Sequence, residues 1–472
     1  MFRLKYGFLI MFFAVTVIGC KKFVNIPPPT TQIVTENVFT NSSAATAAMT
    51  SIYSQMENAA DPYSIALDNG LLADELTNYS TDIPLSEFYE NAMLAKDIGN
   101  PWEDAYSYIY QANAVINGLN TYSGIPASVS SQLIGEAEFT RAFWYFYLTE
   151  SYGPVPLAIS TNYTINSILG RSSQSSVYQQ IIADLKDAEN KLSVNYVDET
   201  DTVLTNDRVR PNRWTAAALL ARAYLYTASF DSAEQQASLV INNSSLYGLC
   251  SSLDSVFLQN SREAIWQIPP PQPSSAASTT DGNGFILTSA PQTGGTSNVA
   301  TISPQLLGTF ENNDNRVQDW IGVFTTSNMN YYFPYKYKVN QLNATGTATE
   351  YTMVLRLAEQ ILIRAEARVQ QGDLSDAILD LNLIRNRAGL AAYSGPTSKD
   401  SILSSILHER QVELFTEWGN RWFDLKRTNM INSVMSIVTP AKGGTWNTAG
   451  ALFPVPLSEM SADPNLGQNP GY

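Results

Sequence analysis

Apolar residues recur at helical spacing through most of this chain, most clearly between Leu355 and Arg427. Leu357, Ile361, Leu362, Ala365 and Val369 fall three or four apart, which predicts a helix over 355–371. Gly372-Asp373 interrupts the pattern. Leu374, Ala377, Ile378, Leu381 and Ile384 then predict a second helix to Ala388, and Gly389 offers the left-handed stop that often ends one. Two short antiparallel helices with small residues at their crossing form a tetratricopeptide-like unit. Such a unit cannot bury its apolar face alone and must stack on others. The triplet Arg364-Ala365-Glu366 has counterparts in Arg222-Ala223-Tyr224 and Arg141-Ala142-Phe143, each inside an apolar helix. Partner helices follow at 233–241 and 177–192, and a fourth, weaker pair joins 44–56 to 102–119. The fold class is therefore mainly α. It is a divergent repeat of tetratricopeptide-like helix pairs, with loop-rich insertions at about 60–100 and 250–350 and a few short strands.

The first residues follow a different rule. Arg3 and Lys5 precede an apolar run, 6–18, too short to span a membrane comfortably. Val17-Ile18-Gly19-Cys20 resembles a bacterial lipoprotein cleavage box, with Val17 where leucine is usual. This predicts removal of 1–19, lipidation of Cys20 and a flexible spacer over 20–35 whose part 23–31, with Pro27-Pro28-Pro29, is stiff and extended, then one domain over 36–472. Losing Arg3 and Lys5 moves the formal charge from −15 to −17. So acidic a chain has no electrostatic case for nucleic acid or an anionic membrane surface. Cys250 is the one other cysteine, so no intrachain disulfide forms after lipidation and the core must supply stability.

Candidate chemistry is sparse. Glu409, Glu413 and Glu417 lie four apart among Arg410, Arg421, Asp424, Lys426 and Arg427. Two carboxylates at a set separation could hydrolyse a glycosidic bond. Acids interleaved with bases among Leu414, Phe415, Trp422 and Phe423 read better as a buried ion-pair network. His408 is the single histidine, which leaves no zinc constellation, and it reads as a helix-surface residue. No phosphate-binding or dinucleotide-binding glycine pattern occurs, and no cofactor is expected. Asp281, Asp314 and Asp319 are donor types for calcium, with nothing to single them out.

Aromatic residues are plentiful: 8 Trp, 25 Tyr and 19 Phe. Those at helical spacing, such as Phe139, Phe143, Trp144 and Tyr147, read as core. Others fall where no helix is expected: Tyr79, Phe88 and Tyr89 in one insertion, Trp320, Phe324, Tyr331, Tyr332 and Phe333 in the other, and Trp446 in a third loop. A pyranose ring offers a C–H face to an aromatic face, and its hydroxyls need planar polar partners at the rim. Asn78, Asp82, Asn328 and Asn330 adjoin the rings. The candidate ligand residues are thus Asn78, Tyr79, Phe88, Tyr89, Trp320, Asn330, Tyr331 and Tyr332. The competing reading is that these rings pin long loops to the scaffold.

Several longer motifs occur in a fixed order: Cys20-Lys21-Lys22-Phe23, 136–156 (EAEFTRAFWYFYLTESYGPVP), 210–226 (RPNRWTAAALLARAYLY), 364–390, 409–427 (ERQVELFTEWGNRWFDLKR) and the closing 452–472. In these the chain resembles the RagB/SusD family of outer-membrane nutrient-binding lipoproteins along essentially its whole length. The resemblance implies a non-enzymatic surface protein on a lipid anchor in the outer membrane, acting with a SusC-like TonB-dependent transporter. It implies an oligosaccharide ligand, or a peptide in the RagB branch. Two further classes stay open: a surface glycosidase, which would convert what it binds, and an adaptor of the transporter with no ligand of its own.

Overall fold

The computed structural model describes residues 35–98, 100–270, 278–341 and 347–472. Cys20, the signal segment and nearly all of the proline spacer lie outside the described residues. Among the described residues no helix is long and apolar enough to cross a membrane.

The longer helices, in chain order, are α1 Ser42–Asn58, α2 Asp61–Leu72, α3 Ile83–Glu90, α4 Asn100–Thr121, α5 Ala127–Tyr152, α6 Gln174–Lys191, α7 Arg213–Tyr226, α8 Phe230–Ile241, α9 Leu357–Gln371, α10 Leu374–Arg387, α11 Lys399–Leu414, α12 Asn420–Arg427 and α13 Ile431–Ala441. Three predicted pairs form as α5 with α6, α7 with α8, and α9 with α10, and they stack in that order. The fourth pair also forms: α1 lies on α4, joined by Gln55 Nε2 donating to Gln111 Oε1 at 2.9 Å. The α9–α10 turn falls at the expected break, with Gly372 at φ 91°, and Gly389 at φ 79° follows α10 as the left-handed stop the pattern predicted.

The repeated arginines clamp helices together. Arg141 makes two bonds to Asp184 on α6 (2.9 and 2.6 Å), and Arg364 makes two to Asp380 on α10 (2.9 and 2.6 Å). Arg222 instead reaches into the next pair, with two 2.7 Å bonds to Glu359 on α9. All three guanidiniums are largely buried, where the bidentate geometry offsets their desolvation.

Two boundaries differ from expectation. Leu355 and Arg356 are not helical: they end a strand, Thr352–Arg356, which pairs antiparallel with Ala264–Ile268, every residue of both being buried. The stretch 60–100, expected to be loop-rich, contains α2 and α3. Each has proline in its first turn, where a missing N–H costs nothing, and Asp82 caps α3 by accepting from Leu85 N.

Candidate functional site

Opposite the repeat, three short elements meet on the loop-rich face. The strand Leu76–Asn78 pairs with Ala300–Ile302, and a hairpin, Ile321–Thr325 with Asn330–Pro334, packs beside them. The chain from Asn78 to Asp82 is then laced to 293–299: Tyr79 N donates to Val299 O at 2.8 Å, Thr81 N to Thr293 O at 2.9 Å, and Ser80 Oγ to Gly295 O at 2.9 Å. These bonds make a strap from two segments more than 200 residues apart.

The strap and hairpin bring Tyr79 and Tyr331 together, ring centroids 5.8 Å apart at 75°. Tyr331 rests on Ile286, Leu287 and Phe333, with Phe324 and Tyr335 beside it. Its cross-strand partner is Phe324. Gly322 opposite Phe333 is required, since a Cβ there would lie 2.2 Å from the Phe333 ring. Tyr89 is half-buried nearby, its hydroxyl facing Thr77 and Tyr79. Burial pushes that phenol upward. Lys442 Nζ lies 5.3 Å from the Tyr89 ring while donating to the carbonyls of Leu71, Leu72 and Ala73 at the end of α2. Tyr79, Tyr331 and Phe324, with Tyr89 at the edge, form a half-exposed aromatic patch.

Five predicted ligand residues sit otherwise. Trp320 is fully buried: its Nε1 donates to Leu253 O at 3.1 Å, and Lys336, Arg356 and Arg387 surround its ring within 6 Å. It is core, held there because a large ring can shield buried cations. Phe88 is buried against Phe453, 5.4 Å between centroids, because it faces inward from α3. Asn78 turns both amide atoms back onto Ser80, bonding its O at 3.1 Å and its N at 2.9 Å, and so shapes the strap. Tyr332 and Asn330 alternate with Tyr331 along their strand and point to the opposite side, Tyr332 packing on the Trp320 cluster and Asn330 lying exposed. Trp446 is a loop pin, donating to Asn432 Oδ1 at 3.0 Å beside Trp422. Asp314 is engaged by Arg316, and among the described residues no cluster of three or more metal-ligating side chains forms.

A cavity of about 560 Å³ opens behind the strap, between α2, α3, α4 and α5, with Asp82, Thr296 and Ser297 at its rim. Sequence reasoning missed it. Tyr63 crosses it, donating to Thr296 O at 2.7 Å, while Trp144, Tyr147 and Tyr152 line it from α5. Asp61, Asp68, Asp97 and Asp104 add carboxylates to Asp82. Asp61 accepts from the Tyr108 hydroxyl at 2.8 Å, and burial pushes its carboxyl up to about 7. Burial, with Asp82 nearby, pushes Asp68 up to about 8. A sequence signal existed in Asp61, Ser64, Ile65 and Asp68, spaced along one helical face, but it is unreadable while the segment counts as loop.

The glutamates 409, 413 and 417 form the ion-pair network that their interleaving with bases predicted. Glu413 accepts from Arg356 at 2.6 Å, from Arg316 at 3.0 Å and from Arg387. Burial would raise its carboxyl, but those three guanidiniums outweigh it and hold it well below the usual range. The helix α11 ends at Leu414, so Glu417 stands in the following turn, yet it still meets Arg356 at 2.7 Å and Lys336 at 2.5 Å. His408 is half-exposed, 3.8 Å from Glu311.

Comparison with known proteins fits this architecture. Residues 25–225 match a family described as starch-binding and associating with the outer membrane, and residues 303–472 match the SusD family. SusD-like protein P2 of Formosa agariphila is 27% identical over 421 residues, covering 79% of this chain and 80% of that protein. A SusD superfamily protein of Bacteroides vulgatus superposes with a TM-score of 0.78 at 20% identity, over 92% of this chain and 99% of that one. Surface glycan-binding protein A of Bacteroides thetaiotaomicron, in complex with laminarihexaose, gives 0.74 at 19% identity, over 90% and 98%. With family models matched over 25–225 and 303–472, this protein belongs to the SusD/RagB family.

Proposed function

We propose that this protein captures oligosaccharides at the outer surface without cleaving them and passes them to a SusC-like TonB-dependent transporter. The observation that carries the reading is the Tyr79–Tyr331 pair, two half-exposed rings braced by the strap and hairpin. Rings fixed by the fold give a sugar face its contact area with little ordering cost. Laminarihexaose in a protein of the same fold supports a β-glucan as the first ligand to try. The non-catalytic reading is supported by the glutamate cluster: the carboxylates best spaced for acid–base work are consumed by arginines. Anchorage through Cys20 belongs to the same proposal, and mass spectrometry of the membrane-extracted protein checks it by showing a diacylated or triacylated Cys20 at the N-terminus.

The deciding experiment is calorimetry on residues 21–472, which contain every described element, with laminari-, malto- and xylo-oligosaccharides and a peptide digest. Saturable binding of one glycan class, weakened about tenfold or more by Tyr331→Ala and accompanied by no product on prolonged incubation, is the expected result. Binding confined to peptides moves the protein to the other branch of the family. Turnover of a bound glycan, or no binding in the presence of the transporter, sinks the reading.

A further inference from the structure

A second aromatic surface runs along α4 and shares no residue with the patch. Trp102, Tyr106 and Tyr110 recur there at helical spacing, and the short helix Tyr163–Asn166 forms the facing wall of a groove of about 350 Å³. Tyr106 is anchored, its hydroxyl donating to Pro156 O at 2.7 Å. Tyr110 and Tyr163 are 53% and 77% exposed, and Ile159, Ile165 and Ile168 in the same segment as Tyr163 are exposed too. Large apolar side chains grouped on a surface in this way mark a contact. The charged side chains lining the groove, Glu459 and Asp463, are both acids. Burial, with Glu103 nearby, pushes the Glu459 carboxyl upward, and no cation among the described residues opposes it. Arg171, near Tyr106, is engaged by the carbonyls of Tyr152, Pro154 and Gly467.

The chain itself contains a segment of matching chemistry. Residues 20–34, outside the described residues, carry Pro27-Pro28-Pro29 and, further from the domain, Lys21-Lys22. Proline-rich segments dock on aromatic-lined grooves because the polyproline conformation is already extended and costs little to order. Reach and direction agree. The described chain opens with the helical turn Thr35–Phe39, and the Phe39 ring lies against Gly118 near the end of α4, 2.1 Å from where a Cβ would stand. Tyr110 precedes Gly118 by eight residues, about 12 Å along the helix at about 1.5 Å each. The prolines precede Thr35 by six to eight residues, about 19–25 Å at about 3.1 Å each. A chain running back along α4 thus brings the prolines to Tyr110, and Lys21-Lys22 to the Trp102 end, where Glu103 and Glu459 lie.

We propose that this groove is the docking site of the protein's own spacer. Residues 23–31 lie extended along α4, the prolines pack on Tyr110 and Tyr163, and Lys21-Lys22 pair with Glu103 and Glu459. A docked spacer leaves only the residues around Cys20 between an acylated Cys20 and the body, so the domain is held close to the membrane. The inference does not depend on glycan capture at the patch.

Chymotryptic cleavage after Phe23 in residues 21–472, read by intact mass, tests this, because proteolysis reports the population in which the segment is open. Free peptides of residues 21–34 give the intrinsic rate for each spacer sequence. The expected result is cleavage about tenfold slower or more in the protein than in its peptide. Tyr110→Ser with Tyr163→Ser, both at exposed positions, restores the peptide's rate, and Pro27→Gly, Pro28→Gly and Pro29→Gly together do the same. Tyr331→Ala leaves the protection unchanged, which separates this result from glycan capture. Cleavage of the parent protein at the peptide's rate, or protection that survives either set of substitutions, overturns the proposal. So does oligosaccharide binding lost in the Tyr110→Ser, Tyr163→Ser variant, which would assign the groove to glycan, or a dimer that this variant dissociates, which would assign it to a second copy.

Discussion

Two groups of carboxylates in this protein have opposite fates. Around Glu413 the acids meet Arg316, Arg356 and Arg387, and Glu413 stays ionised far below the ordinary range. Around Asp68 the acids meet aromatic rings and one another, and burial pushes Asp68 up to about 8. The same residue types are a fastener in one place and the lining of a cavity in the other. What separates them is the company that distant segments bring: Arg316, Arg356 and Arg387 come from three elements to reach Glu413, and among the described residues no cation pairs with Asp68. A carboxylate count along the chain cannot tell a paired cluster from the lining of a cavity.

The sharpest way to break the contrast is to remove a cation from the network. Arg356→Ala strands Glu413 and Glu417 without a shared partner, and breaking buried pairs of this kind costs about 3–5 kcal/mol. Denaturant unfolding reads it, and a loss below 1 kcal/mol would mean the network is dispensable. Trp320→Ala, beside the same cations, should destabilise by a similar amount, about 3–5 kcal/mol, through lost packing. It should alter glycan affinity only through folding.

On the loop-rich face the effect moves from stability to binding. Tyr331→Ala should leave the unfolding midpoint nearly in place and weaken glycan binding about tenfold or more, about 1.4 kcal/mol. Tyr332→Ala, directed to the other side of the strand, should leave affinity within twofold. Equal effects from the two would put the platform elsewhere.

pH separates the clusters by sign. The folded state holds a proton on Asp61 up to about 7 and on Asp68 up to about 8, while the unfolded chain releases it near pH 4. Over that window the folded form binds more protons, so these groups make stability fall as pH rises from about 4 to about 8. Glu413 acts in reverse, contributing stability above pH 4 that is lost on further acidification. Thermal melts of Asp68→Asn should therefore be less dependent on pH between 5 and 8 than those of the parent protein. An unchanged profile would show that Asp68 titrates normally. The smallest effect belongs to His408→Ala, whose ring is half-exposed and weakly partnered: within about 0.5 kcal/mol by the same melts.

The repeat was legible because helix pairs announce themselves locally. Leu357 to Val369 share a face by spacing alone, Gly372 sits at positive φ where the pattern was expected to break, and Gly389 does so where a left-handed stop was expected. The ion-pair character of Glu409 and Glu413 was legible too, since bases are interleaved with the acids. Ring exposure was not. Trp320, Phe88 and Tyr331 look alike as aromatics in polar insertions, yet two are buried and one half-exposed. Strand alternation, invisible until the hairpin register is known, sends Tyr331 and Tyr332 to opposite sides.

By itself, then, the sequence determined the helical scaffold, its stops and the motifs that mark the family, because these rest on residues within a turn or two of each other. Only the tertiary structure decided which arginine clamps which helix, which rings meet at the strap, and that a cavity lined by five aspartates lies behind it. Those depend on contacts such as Tyr79 with Tyr331 and Ser80 with Gly295, whose partners stand more than 200 residues apart, where no local spacing carries the information.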